Sequence, residues 1–409
     1  MQTSLYASLL IGLAFAALSA SQFPRAAAQS TTPTYVLGVS SPLDLLVVDL
    51  QGQTSSLTIL SGVSGLSLLG PASILFINGA WLQSVSSLDP TILLAIDSTV
   101  LNGVPSVVVG GTPTTLQNSI SGLIKGNVPN LPLIAEGLKI FNTLPGGTQQ
   151  AAALQVIAGF DYAVSAEFAW AQQHLTNAIP LTFSPLSTSA TPSTKTSAAG
   201  VVLAATSSPA GSWAFVLQLT TDTGTQFPSA EIISTFTIFS LQNSGSSTYK
   251  WYNFFANQTL NPTSPWRNFS ENDAVNVNPN TNTIISHGPG SQITSGPTTV
   301  SYTIGVTASE FTTSTVTANQ TQTYMLKNTN VTDTTLPNQT SQVGWLHNID
   351  SRSSSGKLTF SVIPGWTDEV QMGKGVDLHG IFTSTFVTLS GGVITQTAST
   401  GIQLVVSGS

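Results

Sequence analysis

The sequence predicts two architectures in one chain: an N-terminal three-layer α/β domain with a parallel sheet, followed by an antiparallel β-sandwich domain. Three observations carry this reading. Between Ser73 and Gly111 an apolar run, a punctuated helix and a second apolar run follow at βαβ spacing. From Phe215 onward the apolar period falls to two. Between the halves, Pro180 to Gly200 is rich in Ser, Thr and Pro and has no period, as expected of a linker. The expected layout is a signal peptide over 1–28, the α/β domain over 33–178, a linker over 179–200 and the sandwich over 201–409, as one elaborated sandwich or two small ones.

Leu5 to Ala20 is an apolar run of signal-peptide length, shorter than the ~20 residues of a membrane helix, and Ala26 and Ala28 offer a small-residue cleavage site. The mature chain is therefore expected to be exported and to carry no transmembrane span. Leu45 to Val48 and Leu57 to Leu60 read as strands. Ile74 to Ile77 is too brief for a helix and rich in β-formers. Asp89 is placed to cap a helix, and Pro90 fills its first position, where the missing N–H costs nothing. Ile92, Leu93, Ile96, Val100 and Leu101 recur at helical spacing until Gly103 and Pro105 end the turn. Val107 to Val109 supplies the next strand, and such a unit belongs to a parallel sheet covered on both faces. Leu133 to Phe141 reads as an edge strand. Gln149 to Leu175, Ala-rich and free of Pro, reads as one helix packed on several sides.

In the second half, five short runs alternate with smaller or polar neighbours, among them Phe215-Leu217-Leu219, Tyr302-Ile304-Val306 and Leu358-Phe360-Val362. Asn257, Asn268, Asn319, Asn330 and Asn338 each begin an Asn-x-Ser/Thr sequon without Pro. Their confinement to this half favours a glycosylated, outward-facing β domain. Trp251, Tyr252, Phe254 and Phe255, with Trp266 nearby, read as sandwich core, a binding face being the alternative. The final run, Gly401 to Val406, either completes its own sheet or pairs with an edge of a neighbouring subunit.

Composition narrows the function classes. Charged residues make up 7% of the chain, against about 25% in an ordinary soluble protein. The net charge of −7 comes from 17 acids and 10 bases with no basic patch, which argues against nucleic acid as a partner. Few carboxylates leave little to lose by protonation, so tolerance of low pH is expected. With no cysteine, disulfides, thiol nucleophiles and thiolate metal sites are excluded. Low charge with many hydroxyls resembles, as a class and through no motif, the surface proteins of acid-living archaea.

Two stretches are candidates for chemistry. Gly110, Gly111, Thr112 and Thr114 follow a strand at the carboxyl end of a parallel sheet, where ligands bind, although neither a Walker pattern nor G-x-G-x-x-G is present. Asp222-Thr223-Gly224-Thr225 resembles the D-T-G-[ST] motif of pepsin-like aspartic proteases, which would make Asp222 a catalytic candidate. That family needs two such loops sharing a proton, and here the second is missing, since Asp97-Ser98-Thr99 lacks the Gly. Asp-Thr-Gly is also ordinary turn chemistry. His347 with Asp350, and Asp377 with His379, are possible pairs, while His174 and His287 stand apart. No set has metal-site spacing, so no metal and no cofactor are expected.

The chain is thus expected to be an exported, N-glycosylated extracellular or cell-surface protein acting by contact. Its expected role is structural, adhesive or filament- and envelope-associated. Expected partners are other surface proteins, copies of itself through β-strand edges, or glycans. An acid-tolerant extracellular hydrolase, protease or glycosidase, would need converging carboxylates near Gly110 or Asp222. A secreted toxin or membrane-active factor suits the high apolar content.

Overall fold

The computed structural model describes residues 29–86, 89–110, 116, 133–141, 151–158, 163–175, 211–224, 227–242, 244–307 and 317–404. Four short strands open it: β1 (Thr34–Leu37), β2 (Leu57–Leu60), β3 (Ile74–Asn78) and β4 (Ser106–Val109). They lie parallel in the order β2-β1-β3-β4. Helices α1 (Leu45–Gln53), α2 (Gly79–Ser86) and α3 (Pro90–Leu101) connect them. The punctuation of α3 is as the sequence predicts: Asp89 accepts a hydrogen bond from the Thr91 N–H at 2.9 Å, and Pro90 opens the helix.

Three expectations are corrected. Leu45 to Val48 is the first turn of α1 rather than a strand, with Asp44 as its cap and Leu45 80% exposed. A four-residue apolar run fits either element, and the cap decides. Gln149 to Leu175 is not one helix: it holds strand β6 (Ala151–Ala158) and helix α4 (Ala163–Gln173). An all-apolar stretch suits a strand buried on both faces as well as it suits a buried helix. Finally β5 (Leu133–Phe141) is central rather than an edge, paired antiparallel to both β4 and β6.

The sheet does not stop there. Strand β7 (Trp213–Asp222) lies parallel to β6, and β8 (Ala230–Leu241) and β9 (Tyr249–Pro262) follow antiparallel. Strands β18 (Gly365–Gln371) and β11 (Asn282–Gly288) complete that edge, with β17 (Phe360–Val362) also on β9. The parallel and antiparallel halves therefore share one twelve-stranded mixed sheet. The stretch expected as a linker, 179–200, lies outside the described residues.

A second, antiparallel sheet has the order β12-β15-β16-β10-β19-β20. Its strands are β10 (Arg267–Val277), β12 (Gln292–Thr294), β15 (Thr329–Asp333), β16 (Gln342–Ile349), β19 (Val376–Val387) and β20 (Val393–Leu404). It packs on the antiparallel part of the large sheet, where Phe382 of β19 meets Phe236 of β8 at 5.2 Å. One apolar cluster runs from Val36 in β1 to Phe386 in β19. No helix among the described residues is long and apolar enough to cross a membrane. Because the core is continuous, Phe382→Ala is expected to cost about 3–5 kcal/mol, and urea unfolding followed by far-UV signal should show it as a lower midpoint of a single transition.

Candidate functional site: a hairpin held apart from both sheets

Among the described residues, strands β13 (Thr298–Val306) and β14 (Ala318–Leu326) pair only with each other. Burial alternates along both strands except at Gly305, and the inward face includes half-buried Gln320 and Gln322 while the outward one includes Met325. Val300, Ile304, Val306, Ala318, Tyr324 and Leu326 are buried against the body, while Thr299, Ser301, Thr303, Asn319, Thr321 and Thr323 face outward. On the outward face the Thr303 and Thr321 hydroxyls lie 2.9 Å apart and Thr323 donates to Ser301 at 3.2 Å. The pattern is that of a strand pair with one wet and one dry side.

The dry side is fastened by a polar relay that leaves the hairpin and returns to it. The Gly305 N–H donates to the Ser286 hydroxyl at 3.0 Å. Ser286 donates to Thr367 at 2.8 Å, and Thr367 to the Asn253 carbonyl at 2.6 Å. The Asn253 amide then donates to Gln320 of β14 at 2.7 Å. Ser286 also lies 3.2 Å from the Gly305 carbonyl, but its single proton goes to the nearer Thr367, and the donors then run one way from end to end. Asn253 and Thr367 are fully buried, which makes an unmade link costly.

Tyr302 is the second fastening. Its hydroxyl donates to the Ile363 carbonyl at 2.5 Å. Its ring lies in a slot cleared by two glycines: a Cβ on Gly288 would strike the ring, and one on Gly365 would sit 2.8 Å from the Tyr302 hydroxyl. A carboxyl cluster lies on the facing sheet. Glu271 and Asp273 of β10, His347 of β16 and Ser384 of β19 are sealed from water. Ser384 donates to Glu271, and His347 Nδ1 is 3.3 Å from Asp273. Burial pushes Asp273 up to about 8 and His347 down to about 3. Burial, with Asp273 beside it, raises Glu271 well above the usual carboxylate range. Burial, with the Asp273 charge adding to it, also raises the Tyr324 phenol. The cluster is thus kept neutral.

The residues singled out in the sequence are dispersed. Gly110 follows β4 with φ +67°, while Gly111, Thr112 and Thr114 lie outside the described residues. Asp222 ends β7 and accepts from the Gly224 N–H at 2.8 Å, the turn chemistry expected of Asp-Thr-Gly. Both regions approach helix α4: the Leu116 N–H donates to Glu136 at 3.2 Å. Glu167 of α4 is fully buried; burial, then the Glu136 and Asp222 charges, raise its carboxyl well above the usual range. Neither Glu136 nor Glu167 was conspicuous in the sequence. These carboxyls are at most 5% exposed. No group of three His, Cys, Asp or Glu among the described residues is placed to hold a metal.

His347 faces Asp273 rather than Asp350, which instead accepts from the Arg352 N–H at 3.0 Å. His287 meets Asp333 at 3.0 Å, and His174 contacts the Trp170 carbonyl at 2.8 Å. Trp251, Tyr252, Phe254 and Phe255 are core. Trp266 lines a cavity of about 550 Å³ with Arg267 and Lys357. Of the sequon asparagines, Asn319, Asn330 and Asn338 are exposed and Asn257 is half-buried. Asn268 is fully buried and its amide donates to the Ser355 and Leu358 carbonyls at 3.0 and 2.9 Å, so this fold leaves no room for a glycan there.

No protein-family model and no curated protein matches the chain. Solved structures similar to part of it include Clostridium perfringens delta-toxin, 11% identical over 43% of this chain and 89% of that one, with a TM-score of 0.28. Another is a pore forming protein, 9% identical over 46% of this chain and 91% of that one, also at 0.28. At these values the likeness decides neither fold nor function.

The site yields two predictions. Tyr302→Phe removes one hydrogen bond and should cost about 1 kcal/mol, whereas Gly365→Ala crowds the Tyr302 hydroxyl, the Phe254 carbonyl and the Phe255 ring and should cost about 1–3 kcal/mol, both read from chemical unfolding. The pH dependence follows from the buried carboxyls. Folded Glu271 and Asp273 hold protons that the unfolded chain releases, so stability falls as pH rises through that range. His347 and His174, whose pKa values are lowered, act oppositely only below their ordinary value of 6.5. Between pH 6.5 and 8 the carboxyls dominate, at about 1.4 kcal/mol per pH unit for each one that stays protonated. Thermal melts should show a higher Tm at pH 6.5 than at pH 8.

Proposed function

We propose that this is an exported, membrane-active protein that stores the β13–β14 hairpin against its body and releases it onto a lipid surface. One observation carries the reading: a two-stranded sheet with one mainly apolar and one mainly polar face, paired, among the described residues, with neither main sheet. Its strands of nine residues match the ~9–11 residues of a membrane-spanning β-strand. In lipid an isolated hairpin leaves both outer edges unpaired, so insertion requires several copies to close a barrel. The relay through Ser286, Thr367 and Asn253 supplies a reversible catch, because its links can be exchanged for water on release.

Contact without insertion is the second reading, that of a glycosylated surface or adhesive protein. The exposed sequons at Asn330 and Asn338, outside the hairpin strands, favour it. Release of a trapped dye from lipid vesicles by purified protein separates the two. Wild type produced without glycans is expected to release dye. Ser286→Ala, which breaks the catch at a cost of about 1 kcal/mol, should release it about five-fold faster. Gln320→Leu frees the hairpin from Asn253 and makes its buried face more apolar, and should act in the same direction. Intact vesicles with all three proteins would overturn the membrane reading and leave the contact role.

A further inference from the structure

The hairpin carries a sugar-attachment sequence at a place where sugar and membrane are incompatible. Asn319-Gln320-Thr321 is a sequon, and Asn319 is exposed on the outward, hydroxyl-lined face as the second residue of β14. It stands opposite Gly305, where a Cβ would come within 2.6 Å of the Asn319 side-chain oxygen. A Cβ there would first strike the Ala318 backbone carbonyl, so the glycine serves the close approach of the two strands, with the Asn319 carboxamide oxygen lying over it. Asn319 also lies at the end of the hairpin next to the connection between β13 and β14, away from the points where the strands join the body.

We propose that Asn319 is an N-glycosylation site whose glycan holds the hairpin in its docked, membrane-inactive form. This rests on the membrane reading above. Nine residues at about 3.3 Å each span about 30 Å, the thickness of the hydrocarbon layer. For the hairpin to span it, the end bearing Asn319 must cross the whole layer. A glycan carries many hydroxyls, and each one taken through hydrocarbon without a partner costs several kcal/mol. In the docked form the same glycan projects from the wet face into water and costs nothing comparable. Glycosylation therefore stabilises the docked state selectively, as a switch must. The buried Asn268 cannot serve this role, and Asn330 and Asn338 lie outside the moving element.

The test uses the full chain secreted from a glycosylating host. Peptide mapping is expected to find Asn319 occupied. Asn319→Gln should then release vesicle dye about ten-fold faster or more than the glycosylated wild type, while Asn330→Gln and Asn338→Gln should not. Thr321→Ala abolishes the sequon and keeps Asn319, and should match Asn319→Gln; Thr321→Ser keeps both sequon and hydroxyl, and should match wild type. These variants are preferable to enzymatic removal of the glycan, which converts Asn319 to a charged aspartate. An unoccupied Asn319 overturns the proposal, as does equal release by glycosylated wild type and Asn319→Gln. If no form releases dye, the membrane reading falls and takes the proposal with it; if both forms release it alike, only the proposal falls.

Discussion

Two sheets in face contact shield their inner strands from solvent, so every polar group there must be neutral or find a partner within the protein. That constraint organises the β half. It explains why Glu271, Asp273 and His347 are all uncharged at neutral pH although all three can ionise. It explains why hydroxyls and amides, rather than ions, make the long-range links: Ser286, Thr367 and Asn253 carry protons in sequence across three strands. A chain with 7% charged residues is suited to this chemistry, because neutral donors can be buried without the desolvation that an ion pair incurs.

The same constraint makes the hairpin separable. Its inner face is dry but includes Gln320, held by one hydrogen bond to Asn253. Its outer face is already wet. Unlike the other strands of the β half it adds no ladder to either sheet, so detaching it breaks side-chain contacts without unpairing a sheet. Elements of low local stability are where conformational change is drawn from. The glycine slot around Tyr302 gives the docked form a defined geometry at the same time.

Much of this was legible in the sequence, and the failures have physical causes. The cap at Asp89 and the stop at Gly103 located α3 because capping is local chemistry. The alternation of Tyr302, Ile304 and Val306 located β13, since a period of two is unambiguous once one face is wet. Periodicity failed where a stretch is apolar on every side, whether or not every side is buried. Leu45 to Val48 and Ala151 to Ala158 carry no polar face to reveal their geometry, and each took the state its neighbours allowed. The site residues were harder. Asn253, Ser286 and Thr367 are ordinary residues in a chain full of amides and hydroxyls, and only the register of β9, β11 and β18 brings them into line. Glu136 and Glu167 converge with Asp222 for the same reason, through pairing that no local pattern encodes.

The parallel ladder between β6 and β7 joins the two halves of the large sheet through six residue pairs, from Ala152–Leu217 to Ile157–Asp222. The chain takes a long detour, through α4 and beyond, before it comes back to make that ladder. A single cut in the detour would therefore yield two fragments with no covalent tie, gripped by a shared seam of backbone bonds and a common interior. Cleaved and uncleaved molecules would then run as one particle on a sizing column and part only in denaturant.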